Sequence, residues 1–87
     1  MFVVYVICNS LGEFYIGQTD NLQIRLLRHN GILKNKNSSY THKHQGPWEV
    51  LFSEELESRA KAIQREKQLK SYQGRQYIKQ ILTNKKI

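Results

Sequence analysis

The chain has 87 residues and a mass of 10.3 kDa, enough for one hydrophobic core and too little for two. Hydrophobic residues make up 39% and charged residues 24%, a balance suited to a folded domain rather than a disordered chain. Fourteen Lys and Arg against seven Asp and Glu give a net charge of +7, a field that concentrates polyanions, nucleic acid foremost. The competing account of the same charge is a solvated basic surface.

Cys8 is the only cysteine, which excludes an internal disulfide, and its apolar neighbours make it a small buried residue. No apolar run approaches about 18 residues, and MFVVYVIC lacks the basic start and small-residue cleavage site of a secretory signal. A cytoplasmic protein is expected.

Phe2 to Cys8 is an almost continuous β-branched and aromatic run, as expected of a central strand covered on both faces. Asn9 to Gly12 are turn residues and Glu13 to Gly17 resumes a strand pattern, so the pair forms a β-hairpin. A three-residue loop of Ser10, Leu11 and Gly12 suits a type I turn followed by a left-handed glycine. Asn9 then faces Glu13, Ile7 faces Tyr15 and Tyr5 faces Gly17. In that register both tyrosines project from one face as diagonal neighbours, with Gly17 leaving space beside Tyr5. Two ordinary core aromatics would satisfy the same pattern.

Asp20, with Gln23 three residues on, forms a capping box for a helix that runs to about Asn30, where Gly31 ends it. Leu22, Ile24, Leu26 and Leu27 supply its apolar side, and Arg25 and His29 share a face at a spacing of four. Gly31 to Pro47 is polar and basic and is expected to be a long loop. Trp48 to Phe52 forms a third strand, after which Glu54, Glu55 and Glu57 lead into a helix over roughly Ser58 to Ser71.

Ala62, Ile63 and Leu69 define the core-facing stripe of that second helix, and Glu66 lies on its edge. A carboxylate there is costly unless paired or bound to a cation, so a partly buried salt bridge to an arginine and a metal-ligand role both account for it. Gly74 to Leu82 forms a short third helix through Tyr77, Ile78, Ile81 and Leu82. A single domain over residues 1–83 is expected, followed by a loose basic tail at 84–87.

In combination, these residues resemble a known family. Val4-Tyr5-Val6, Tyr15-Ile16-Gly17, Arg25 and His29 on one helix and Glu66 on a later one are similar to the GIY-YIG endonucleases. The nearest likeness is to small stand-alone bacterial members related to the UvrC N-terminal domain, and it covers essentially the whole chain. YIGQT followed by NLxxRLxxH, with REKQLK downstream, is specific in combination.

The resemblance implies an α+β fold, a three-stranded antiparallel sheet packed with about three helices in the order β-β-α-β-α-α, and metal-dependent hydrolysis of phosphodiesters. It places the family's two tyrosines on Tyr5 and Tyr15, its phosphate-contacting arginine on Arg25, its histidine on His29 and its metal-binding glutamate on Glu66. The first triplet reads VYV rather than GIY, which keeps the tyrosine and changes its neighbours. Gln18 stands where some relatives carry a lysine, so no role of that lysine transfers.

These residue types suit the reaction. Hydrolysis needs an activated water, stabilisation of phosphoryl charge and help for the departing alkoxide. Glu66 offers the hard oxygen that Mg²⁺ or Mn²⁺ accepts, and one such ion, keeping waters and phosphate oxygen as further ligands, serves charge and leaving group together. Arg25 donates a forked pair of hydrogen bonds that lysine cannot reproduce. Tyr5 and His29 are both candidates for the base.

Lys34, Lys36, Lys43, Lys67 and Lys70 are expected to follow a DNA backbone, with RNA left open and a recruiting protein partner unspecified. His42 and His44 form an HxH that reads better as basic contact surface than as a metal site, no Cys or carboxylate completing it. The expected function is a divalent-metal-dependent DNA endonuclease or nickase in repair, recombination or processing. Its rivals are a non-catalytic nucleic-acid-binding module of the same fold and an adaptor for an acidic partner.

Overall fold

The computed structural model describes residues 1–30 and 47–85. Strands β1 (Phe2–Cys8) and β2 (Phe14–Thr19) are followed by helix α1 (Leu22–His29), strand β3 (Glu49–Leu56) and helices α2 (Arg59–Lys70) and α3 (Tyr72–Lys85). The order is β-β-α-β-α-α, and the three strands form one antiparallel sheet in the order β2-β1-β3. The apolar run of β1 is thus the central strand, and Val4 to Cys8 are buried.

The β1–β2 hairpin has the register set by its turn. Asn9 and Glu13 close the loop through Asn9 N–H to the Glu13 carbonyl at 3.1 Å, and among the described residues Gly12 alone has a positive φ, 82°. The buried Asn9 side chain organises the loop, its Oδ1 accepting from Leu11 N at 3.1 Å and Glu13 N at 3.0 Å. Tyr5 pairs with Gly17 and Ile7 with Tyr15, as a three-residue loop requires.

Alternation along the strands divides the core into two. Val4, Val6, Cys8 and Ile16 pack with Ala62, Leu69, Ile78 and Leu82 of α2 and α3. Tyr5, Ile7 and Trp48 lie on the opposite face with Tyr15, Val50, Leu22 and Leu26, beneath α1. A bulge in β3 opposite the Val6–Ile7 step lets Phe52 and Val50 serve different cores.

Several boundaries differ from expectation. Asn21, not Asp20, caps α1, its Oδ1 accepting from Ile24 N at 3.2 Å; the Asn sits one residue nearer the first turn and reaches its third amide. The expected stop at Gly31 lies outside the described residues. Strand β3 runs to Leu56 rather than Phe52, so Glu54 and Glu55 belong to the sheet and no acid occupies the first turn of α2. Glu54 instead holds α2 to β3 through a forked pair with Arg65 at 2.8 and 2.9 Å.

Ser58 caps α2 by accepting from Lys61 N, and Ser71 both ends α2 and starts α3. Its hydroxyl donates to the Gln68 carbonyl at 2.6 Å and accepts from Gly74 N at 3.2 Å. This double cap lets α3 begin at Tyr72, before Gly74, where a Cβ would overlap the Gln68 and Leu69 carbonyl oxygens. Ala62 and Leu69 are buried as the α2 stripe requires, whereas Ile63 is 37% exposed. Helix α3 continues through Asn84 and Lys85, the first half of the expected tail. Among the described residues no helix is long and apolar enough to cross a membrane.

Candidate active site

Tyr5 stands in the middle of the central strand with its side chain wholly buried on the α1 face. The hairpin register puts Gly17 opposite it, and the missing side chain is a spatial requirement. A Cβ on Gly17 would lie 2.6 Å from Tyr5 Oη, 2.7 Å from Tyr5 Cζ and 3.0 Å from Tyr15 Cε1. Gly17 thus makes room for both rings, whose centroids are 6.3 Å apart.

Helix α1 lays Leu22 and Leu26 on this core, which turns Arg25 and His29 toward the same ring. His29, only 7% exposed, has its Nε2 2.8 Å from Tyr5 Oη. Arg25 Nε donates to the same oxygen at 3.3 Å. The His29 ring also stacks obliquely on Tyr15, with centroids 5.0 Å apart. Arg25 can only donate, so the Tyr5 hydroxyl accepts from it, and the hydroxyl donates to His29 Nε2 in the tautomer that carries its proton on Nδ1.

The electrostatics agree with that assignment. Burial, reinforced by the neighbouring Arg25 charge, lowers the His29 pKa to about 4, so the imidazole is neutral at pH 7. Burial pushes Tyr5 up to about 12; the Arg25 hydrogen bond and charge work against this, while Tyr15 and Glu66 add to it. Arg25 is held protonated chiefly by its hydrogen bond to Tyr5. At neutral pH the cluster is a neutral phenol between a proton acceptor and a cation.

One consequence concerns stability. Folding depresses His29 from its ordinary 6.5 to about 4, so between those values the unfolded chain binds the additional proton. The stabilisation from neutral His29 is complete above pH 6.5 and is lost as pH falls through 4, on the order of 2 to 3 kcal/mol. Urea unfolding from pH 7 to pH 4 should therefore show wild type losing more stability than His29→Gln by about that amount. Parallel pH profiles for the two proteins would contradict it.

Glu66 projects from α2 with its side chain 19% exposed, paired with Lys70 Nζ at 2.8 Å. Its partner is a lysine one turn on rather than the arginine expected, because Arg65 is committed to Glu54. Its charge is felt at Tyr5, where it opposes ionisation. Among the described residues no group of three or more His, Cys, Asp or Glu surrounds a common point, so a metal here would have one carboxylate ligand. That donor set fits Mg²⁺ or Mn²⁺, which keep water ligands and accept phosphate oxygen, and it does not fit a zinc site. The carboxylate already holds a cation, the Lys70 ammonium.

The structure thus gathers Tyr5, Tyr15, Arg25, His29 and Gly17 on one face, with Glu66 within electrostatic reach from α2. Lys67 and Lys70 are exposed on α2, whereas Lys34, Lys36, Lys43, His42 and His44 lie outside the described residues. Three residues went unnoticed in the sequence. Asn30 accepts from Trp48 N and donates Nδ2 to the Trp48 carbonyl at 3.0 Å, tying the end of α1, and with it His29, to the start of β3. Arg28 shares a cleft with Arg25, Thr19, Asn21 and Ile24, and Arg75 reaches a cavity beside Tyr15. A cationic residue near the end of α1 was visible as such; Trp48, the partner of Asn30, and Tyr15, beside the Arg75 cavity, lie too far away in sequence for any local pattern to signal them.

Comparison with known proteins bears on the same residues. The family model described as the GIY-YIG catalytic domain matches residues 1–79. A UPF0213 protein of Staphylococcus epidermidis is 32% identical over 80 residues, covering 92% of each chain. A UPF0213 protein of Staphylococcus haemolyticus is 30% identical over 78 residues, 90% of each chain. No solved structure matches the chain. The family match spans both tyrosine triplets, α1 with Arg25 and His29, and the helix that carries Glu66, and the chain therefore belongs to the GIY-YIG family of nuclease domains.

Proposed function

We propose that this domain is a divalent-metal-dependent endonuclease or nickase that hydrolyses DNA phosphodiester bonds in repair, recombination or processing. The observation that carries the reading is the Tyr5 hydroxyl, bracketed by His29 Nε2 at 2.8 Å and Arg25 Nε at 3.3 Å. A buried phenol flanked by a neutral acceptor and a fixed cation is arranged to pass on a proton as it receives one. The net charge of +7 favours a polyanionic substrate.

A Mg²⁺ or Mn²⁺ ion held by Glu66 would supply charge stabilisation for the phosphoryl oxygens and the leaving oxygen. Arg25, with Nε engaged by Tyr5, offers its terminal nitrogens to the phosphate. Tyr5 at a pKa of about 12 is no free phenolate, and it acts as acceptor of a water proton only by handing its own to His29. The two candidate bases therefore form one relay. An incoming phosphate offsets the Arg25 charge that depresses His29, making the imidazole more basic when substrate is bound. Tyr15 holds the His29 ring in place by stacking.

The test is a panel of plasmid, single-stranded and branched DNA with Mg²⁺, Mn²⁺ or EDTA. Nicking is expected only with a divalent ion, and Tyr5→Phe should slow it about 100-fold without changing DNA affinity. Failure to cut any substrate under any metal would leave the non-catalytic binding module as the correct reading.

A further inference from the structure

A cavity at the outer edge of the sheet is lined by Phe14, Tyr15 and Ile16 of β2 and by Lys70 and Arg75 from the junction of α2 and α3. The Ser71 double cap folds α3 back so that Arg75 Nε donates to the Lys70 carbonyl at 2.9 Å. That bond fixes the guanidinium at the cavity with its terminal nitrogens unused by any described residue. Two cationic residues thus line one concave site, and Arg75 brings to it a guanidinium anchored through Nε. Tyr15 lines this cavity and also contacts Tyr5, with ring centroids 6.3 Å apart.

Only one of the two cations has an acidic partner among the described residues, and that partner is Glu66. The Lys70 ammonium is half-exposed on a flexible stem, so a phosphate entering the cavity can draw it from Glu66 without any metal. We propose that this cavity is a second phosphate subsite, which receives a backbone phosphate flanking the one that is cut, with Lys70 and Arg75 as its anion-binding residues. The proposal rests on the nucleic-acid reading above and adds to it where the strand runs: from the Tyr5 cluster past Tyr15 to the α2–α3 junction.

The experiment measures binding of a fluorescent DNA duplex in EDTA over a salt series, so that cleavage plays no part. Arg75→Ala and Lys70→Gln should each weaken binding roughly fivefold to tenfold and reduce the slope of log affinity against log salt by about 1. Lys61→Ala, whose ammonium sits on Glu57 at 3.1 Å, should leave both unchanged. Duplexes with single methylphosphonate substitutions then locate the contact: one position should weaken wild type and have no effect on Arg75→Ala. Arg75→Lys should restore the salt slope without restoring that position's effect.

Wild-type affinity and slope in both Arg75→Ala and Lys70→Gln would overturn the subsite. So would methylphosphonate effects that are equal in wild type and Arg75→Ala at every position, which would mean a diffuse basic surface. The outcome is independent of turnover. A protein that cuts nothing yet shows the single-position effect keeps the subsite and loses the endonuclease reading, and an active nuclease without it does the reverse.

Discussion

Glu66→Ala is expected to abolish the divalent-ion response of DNA nicking, a fall of at least about 1000-fold, while changing folding stability by no more than about 0.5 kcal/mol. The disparity follows from position. Glu66 is one turn from a lysine that is itself 46% exposed, and such helix pairs contribute little in water. A purely structural salt bridge would therefore lose almost nothing on either count. The carboxylate also opposes ionisation of Tyr5, so its removal eases the burial-raised Tyr5 pKa, a change that by itself would favour release of the Tyr5 proton to His29. A severe loss of activity despite that easing points to lost cation binding. Urea unfolding and nicking rates with Mn²⁺ and EDTA check both halves, and a variant that nicks at the wild-type rate would remove Glu66 from the site.

The second large effect is expected from a single added carbon. Gly17 lies in ordinary extended backbone, Gly12 being the only described residue with positive φ, so alanine carries no conformational strain there. Its Cβ would nevertheless come within 2.6 Å of Tyr5 Oη and 3.0 Å of Tyr15 Cε1. Tyr5 is fully buried against Ile7 and Trp48 and has no free space to retreat into, so the ring must leave its hydrogen bonds with His29 and Arg25. Gly17→Ala should cost about 1 to 3 kcal/mol in stability and about 100-fold in nicking. The double variant Gly17→Ala/Tyr5→Phe should be scarcely slower than Tyr5→Phe, because both act through one hydroxyl. Independent, multiplying losses would show that Gly17 acts elsewhere.

Much of this geometry was legible before any fold was known. Hairpin register follows from loop length, and the positive-φ glycine at position 12 specified that length, which brought Tyr5 opposite Gly17 and put Tyr15 on the same face. The four-residue spacing of Arg25 and His29 on an amphipathic helix made them neighbours before their target was known. The likeness to the GIY-YIG family linked those pieces to Glu66, a link no spacing rule supplies.

Boundaries and partners were another matter. Asp20 and Asn21 are both good caps, and which one reaches the Ile24 amide depends on how Thr19 leaves the sheet. Glu54 and Glu55 carry no strand signal; pairing with Val4 and Val3 of β1 keeps them in the sheet, and Arg65 gives Glu54 a partner. Such outcomes turn on contacts between distant residues, which outweigh weak local preference.

The amino-acid sequence alone determined the element types, the hairpin register and the shared face of the two tyrosines, because turn chemistry and hydrophobic periodicity act within a few residues of chain, and only the family likeness joined Glu66 to them. Only the tertiary structure decided that the Tyr5 hydroxyl sits between His29 and Arg25, that Lys70 rather than an arginine holds Glu66, and that Arg75 turns back to the cavity beside Tyr15. Tyr5 meets α1, and Arg75 meets β2, across gaps in sequence that leave no local trace, whereas the Glu66–Lys70 pair is a one-turn contact in which the fold decided only that Arg65 is engaged by Glu54.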